Sequence, residues 1–290
     1  MRPIIEDIKY RFSHGGILIK LILINIAIYL LLNIVLLLTR NDESLFLFIL
    51  KLFATPLDWT IVVKPWTLIT SMFTHVDFDH IFWNMLTLYF SAKIFLDYNS
   101  DNRLLQLYLV GGLAGVVFMW LTLNLLPFFE NSGIAIGASA ATMAITISVC
   151  AYRPLLMVNL FGMVPVQLRY IGITLFLLDV FHFYDSNTGG HLAHIGGAIF
   201  GFYHGRKLAG AIDILKPIDK FFNSISSLFK KKSDLYVSHS KVRQMDDYEY
   251  NYTKKTMQEK VDEILDKISR SGYDSLTKEE KDILHRSSRM

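Results

Sequence analysis

The chain has 290 residues, of which 52% are hydrophobic, 13% aromatic and 19% charged, with 29 Lys/Arg against 26 Asp/Glu and a net charge of +3. Its mean hydropathy of +0.35 excludes an ordinary soluble domain and points to a polytopic membrane protein. The small net charge gives no sign of nucleic-acid binding, and the single cysteine, Cys150, excludes an intrachain disulfide framework or a Cys-rich metal site.

Residues 1–16 read as a cytoplasmic N-terminal segment. The first apolar run, 17–38, exceeds the about 7–15 residues of a signal-peptide core and is expected to stay as a membrane helix. Five further candidate spans follow near 80–96, 104–126, 135–152, 167–183 and 191–209, against the roughly 20 apolar residues a crossing needs. Between the first two lies a loop carrying the apolar stretch Leu45–Phe53, too short to cross and expected to form an interfacial or re-entrant helix. Trp59 and Trp66 in that loop suit a membrane–water boundary. The fourth and sixth spans are rich in Gly, Ala and Ser, the composition of helices packed inside a bundle.

Basic residues in short flanking segments set orientation. Lys9, Arg11 and Lys20, then Lys93 and Arg103, Arg153 and Arg169, and Arg206 and Lys207 all fall on one side. Both termini are therefore expected in the cytoplasm. The starts of the fourth and sixth spans then share the outer side, which puts Ser139 and His194 at similar depth.

Ser139 lies in Gly137-Ala138-Ser139-Ala140-Ala141, and His194 in Ala193-His194-Ile195-Gly196-Gly197. Ionisable groups inside spans are costly, so each is a functional-site hypothesis. A serine hydroxyl is activated when a neighbouring imidazole takes its proton and later protonates the leaving amine. No Asp or Glu stands near either residue within its own span, so the expected arrangement is a dyad, the His tautomer being held by packing or a backbone acceptor. On the second span, His80 and Asn84 are four apart on one helix face and can offer donors to a developing oxyanion. Gly197, Gly201 and Gly205 form a ladder for close helix approach, as do Gly111 and Gly115 on the third span. That packing would bring the sixth span against the fourth. His191, three before His194, raises a two-His metal site, set aside because no acidic or Cys partner is evident. No cofactor or metal is expected. Asp179, late in the fifth span, is compatible with capping a loop, facing a water-filled cavity or shaping a gate.

Taken together, His75, His80 and Asn84, the Gly137-Ala138-Ser139 motif, and His194 followed by Gly197 and Gly201 resemble the rhomboid intramembrane serine proteases, over roughly residues 60–206. The six candidate spans make a six-transmembrane-helix, rhomboid-like bundle over 17–210, and the resemblance implies a serine endopeptidase acting on the transmembrane or juxtamembrane segments of other membrane proteins. It implies Ser139 as nucleophile and His194 as general base, with His80, Asn84 and the Ser139 backbone N–H as the oxyanion site. His75 matches a family histidine nearer the mouth of the site. Three positions depart from the family pattern: Ala140 stands where Gly often follows the serine, Met143 where an aromatic is common, and Trp66-Thr67 where Trp-Arg is usual. A non-catalytic relative that binds membrane helices is the competing class. A compact six-span form suits a bacterial inner membrane.

Beyond the last span the composition changes, with 16 Lys/Arg and 14 Asp/Glu from residue 211 onward. Residues 211–253 read as a basic amphipathic segment and linker, with Lys230, Lys231 and Lys232 suited to anionic headgroups. Residues 254–290 read as a small cytoplasmic helical hairpin. Val261, Ile264, Leu265 and Ile268 are expected on one helix face, and Thr277 with Glu280 has capping-box spacing. The fold class is thus an all-α membrane protein with a helical appendage.

Overall fold

A computed structural model of the chain describes residues 16–40, 42–126, 133–160, 162–182, 187–219, 260–270, 275–277, 279–281 and 283. It divides into two compact units, 1–229 and 230–290, and is mostly helical.

In the first unit the long helices are α1 (Ile17–Leu38), α4 (Phe78–Leu96), α5 (Asp101–Leu125), α6 (Ser139–Tyr152), α7 (Leu168–His182) and α8 (Thr188–Ala209), with the short α2 (Glu43–Leu50) and α3 (Thr67–Thr70) between α1 and α4. These six long helices occupy the six apolar stretches of the sequence. By length and apolarity α1 and α5 are each able to cross a membrane, and α6 is a shorter apolar helix. Helix α2 forms within the short apolar stretch of the first loop, its start capped by the Asp42 carboxylate accepting from the Leu45 N–H.

Two small antiparallel ladders qualify the all-α expectation. Strand β1 (Thr55–Pro56) pairs with β2 (Ile134–Ala135), and β3 (Met157–Leu160) with β4 (Val164–Gln167). The first ladder also shortens the fourth helical segment. Ile134 and Ala135 are strand, Gly137 has φ +115°, and the helix begins only at Ser139. A left-handed residue cannot sit inside an α-helix, so the apolar pattern read as span from 135 begins four residues early. Its consequence is functional: the serine stands at the first helical position and not within the helix.

The packing core runs through α4, α5 and α6, where Leu88, Leu104, Leu107, Tyr108, Ala141 and Ile145 are fully buried. Cys150 is buried beside Gly172 of α7, a packing residue as its surroundings suggested. Many large apolar side chains instead face outward, among them Leu31, Ile34 and Leu37 on α1, Ile173 and Phe181 on α7, and Ile199 and Phe202 on α8. Such broad apolar exposure fits a lipid-facing surface.

Tyr108 ties three segments together. Its hydroxyl donates to the Met72 carbonyl at 2.9 Å and accepts from Asn25 Nδ2 of α1 at 3.3 Å. Both partners lose their contact in Tyr108→Phe, at a cost of about 1–3 kcal/mol for a buried group left unpaired. A lowered unfolding midpoint in detergent, without loss of expression, is the expected result.

After α8 the chain turns at Gly210 and Ala211 and enters a short 3-10 turn, Lys216–Ile218, with Leu215 buried in the core cluster. The described part of 211–253, residues 211–219, is thus a docked turn. Arg103 of α5 is the reason it docks: the guanidinium meets Asp213 at 2.6 Å and forms a two-pronged pair with Asp219. Those contacts, with Gln106, hold the Asp219 carboxyl down at about 2. Lys230, Lys231 and Lys232 lie outside the described residues, as do 1–15.

The second unit contains a helix over 260–270. Ile264 is buried and Val261 and Ile268 are half-buried, but Leu265 is 49% exposed. The apolar face therefore follows Val261, Ile264 and Ile268, and Leu265 falls off its edge. Thr277 and Glu280 exchange the two hydrogen bonds of a capping box, and Lys267 pairs with Glu280 at 2.8 Å.

Candidate active site

Helix α8 lies against α6 more closely than side chains would permit. A Cβ on Gly197 would stand 2.3 Å from the Ala140 carbonyl oxygen, on Gly201 2.2 Å from that of Ala144, and on Gly205 2.2 Å from that of Ser148. The same offset recurs at each rung, so the two helices run parallel in one register. Extended one turn upward, that register sets His194 beside the Gly137–Ser139 turn. Gly115 of α5 closes the third side, since its Cβ would meet both the Ala193 carbonyl and the Ala140 methyl. Below, Ser148 and His204 join the same two helices by a buried hydrogen bond of 2.7 Å.

The turn that presents Ser139 is held from two sides. The Gly137 N–H donates to the Ser71 carbonyl at 2.8 Å, and the Ala138 N–H to His75 Nε2 at 3.2 Å. Accepting at Nε2 leaves the proton of His75 on Nδ1. Burial, with His80 beside it, pushes the imidazole of His75 down to about 3, so the ring stays neutral and able to accept. His75 is fully buried and braces the backbone directly before the serine. The rings of His75 and His80 meet edge to face at 5.0 Å.

Gly137 must be glycine for two reasons. Its φ is left-handed, and a Cβ would lie 2.6 Å from the Cε1 and Nε2 atoms of His80. The His80 ring thus lies over the turn, within electrostatic reach of His194. Asn84 is buried one turn below, and its Nδ2 donates to the His80 carbonyl at 2.8 Å. One of its two amide hydrogens is therefore engaged with its own helix, leaving the other for a ligand. Ser139, His80 and His194 are half-buried, so the cluster is enclosed yet reachable.

One participant was missed from the sequence. Asp179 of α7 is buried, and its Oδ1 lies 2.8 Å from Nδ1 of His194 and 2.8 Å from Nδ1 of His191. The expected carboxylate-free dyad is corrected on this point: His194 has an acidic partner on the neighbouring helix. The signal existed, because an aspartate inside a span is a functional hypothesis by default. Asp179 and His191 also stand at equal distances either side of the α7–α8 connection, where antiparallel neighbours meet. The absence of an acidic partner for His191 is corrected by the same contact. Asp179, His191 and His194 place three ligand-type atoms within 4.8 Å of one another, a set able to accept a divalent cation. Their 2.8 Å separations are those of hydrogen bonds from two imidazoles to one carboxylate oxygen.

Comparison with known proteins agrees with the motifs. Residues 63–210 match the rhomboid domain, and residues 245–290 match a separate family of unknown function. A relative, RHOMBOID-like protein 12, mitochondrial, of Arabidopsis thaliana, is 32% identical over 144 residues, covering 46% of this chain and 43% of the relative. The chain thus matches less than half the length of that relative. Its mitochondrial name lends no support to the bacterial inner membrane expected above. The rhomboid domain takes in α4 to α8 with every residue of the serine–histidine cluster, and the chain belongs to the rhomboid family.

Proposed function

We propose that the protein is a multi-pass intramembrane serine endopeptidase in which Ser139 attacks a peptide bond with His194 as general base. The glycine ladder supports this reading most directly, because its register, extended one turn, brings His194 level with the Gly137–Ser139 turn at the start of α6. Serine protease chemistry needs that juxtaposition, and simple helix packing does not.

His194 takes the Ser139 hydroxyl proton through Nε2 as Oγ bonds to the carbonyl carbon, then delivers it to the leaving amine. Water, activated by the same imidazole, hydrolyses the acyl-enzyme. The oxyanion forms over the first turn of α6, where backbone N–H groups lack intrahelical acceptors and the helix dipole favours negative charge. The His80 ring and the remaining Nδ2 hydrogen of Asn84 supply further donors. Loss of either in His80→Ala or Asn84→Ala is expected to lower kcat about 10²–10³-fold with KM little changed, measured on a reconstituted single-span substrate.

The six long helices act as the six spans, with both termini in the cytoplasm and the site opening to the outer side. Substrates are membrane proteins whose transmembrane or juxtamembrane helix can leave helical form at the scissile bond, which favours segments containing glycine. Lys230, Lys231 and Lys232 engage anionic headgroups, each basic residue near the surface contributing about 1 kcal/mol.

A fluorophosphonate probe tests the core of this reading in the full chain. Labelling of wild type, together with cleavage of a single-span substrate in liposomes, is expected, and Ser139→Ala should lose both. A wild-type chain that neither labels nor cleaves, yet retains a substrate helix, would be a helix-binding relative and not a protease.

A further inference from the structure

We propose that Asp179 is a positioning residue for His194, fixing the tautomer in which Nδ1 carries the proton and Nε2 offers its lone pair to Ser139. The idea builds on the protease reading and adds a carboxylate on α7 to what the sequence presents as a two-residue site.

The geometry points one way. An ionised carboxylate can only accept hydrogen bonds, and Asp179 Oδ1 receives both imidazoles at 2.8 Å through their Nδ1 atoms. Each ring must therefore be protonated at Nδ1, which leaves Nε2 bare in the neutral form. That is the state a general base requires. The carboxylate is buried at 6% relative exposure, and a charge at such depth is tolerated only when paired and hydrogen-bonded. His191 provides the second donor to the same oxygen and completes its satisfaction. The neighbours are accounted for: His182 lies near His191 with ring centroids 6.3 Å apart, and His80 of α4 is within electrostatic reach of His194. Among the described residues Asp179 is the acidic group hydrogen-bonded to the pair.

Substitution separates positioning from scaffolding. In Asp179→Asn the amide NH₂ can donate to Nδ1 of His194, which moves the ring proton to Nε2 and turns a donor towards Ser139. A fall in kcat of about 10²–10⁴-fold is expected, with KM within about twofold because no substrate contact is removed. Asp179→Ala imposes neither tautomer, so its loss should be smaller than that of the isosteric Asn variant. A purely structural carboxylate predicts the reverse order, with Ala worse than Asn.

The tautomer is read independently of turnover by 15N NMR of the full chain with labelled histidine, the His194 resonances being assigned by difference from His194→Gln. Protonated Nδ1 and bare Nε2 are expected in wild type and in Ser139→Ala, with the two exchanged in Asp179→Asn. An unchanged tautomer in Asp179→Asn, or Ala below Asn in kcat, overturns the assignment. If wild type has no activity the protease reading fails by itself, while the NMR comparison still decides the Asp179–His194 contact.

Discussion

Ser139→Ala should lower kcat for a reconstituted single-span substrate by about 10⁶-fold, the scale seen when a serine nucleophile is removed from a triad acting as a unit. The substitution is a clean one. Ser139 begins α6 among alanines, and Ala138, Ala140 and Ala141 are already packed there, so deleting the hydroxyl leaves the helix start and its neighbours in place. Binding of the substrate helix should persist, visible as unchanged pull-down or competition against wild type. His194→Ala should fall nearly as far, and the double variant no further than Ser139→Ala alone, because base and nucleophile serve the same proton transfer. Additive losses, with each variant multiplying the other, would mean that the two residues act in separate steps. Asp179→Asn then belongs above these variants in activity, since it misaligns the base without removing it.

Gly197→Ala has the next largest expected effect, and it acts through packing alone. The added methyl would sit 2.3 Å from the Ala140 carbonyl oxygen and 3.1 Å from its carbon. Both are backbone atoms that cannot rotate away, so α8 must shift off α6. Overpacking of this kind costs about 1–3 kcal/mol. His194 lies one turn from the clash and moves with the helix. A displacement of about 1 Å between reacting groups can lower turnover about 10²-fold. Gly205→Ala provides the contrast, since its Cβ would lie 2.2 Å from the Ser148 carbonyl oxygen at the far end of the same interface. Its effect on the unfolding midpoint should match that of Gly197→Ala, while its kcat should fall less. Equal losses of kcat at both rungs would show that the ladder maintains the fold without locating the base.

The same close approach accounts for what the substitution at Ala140 means. The family often has glycine after the serine, and Ala140 lies where Gly115, Gly197 and the first turn of α6 converge. The missing side chains on the facing helices make room for its methyl group, so the space is provided by α5 and α8. The small residue has been placed on the partner helices.

Much of the architecture was legible in the chain itself because the information is local. Apolar stretches long enough to pack as helices marked α1 and α4 to α8, and a Gly ladder at four-residue spacing marked the face of α8 that meets its neighbour. The Thr277–Glu280 spacing predicted a capping box that forms with both bonds. Ser139, His194, His80 and Asn84 could be named because serine, imidazole and amide groups stand out in apolar helices and match a family motif in order.

The tertiary structure decided where those groups point and which others join them. Hydropathy extended the fourth helix back to 135, but Gly137 at positive φ and the β1–β2 pairing stop it at Ser139, and backbone conformation of that kind leaves little trace in apolar patterning. Leu265 fits a helical repeat by spacing yet lies outside the face that Ile264 buries, since the width of a buried face depends on what covers it. Asp179 was visible as a costly charge, but its role was not, because a carboxylate acquires a function only from the donors it meets. The sequence by itself determined the helices, the family and which polar groups stand within those helices. Only the packing of α7 against α8 could decide that one buried carboxylate receives both His191 and His194, a contact between residues on different helices that no local pattern encodes.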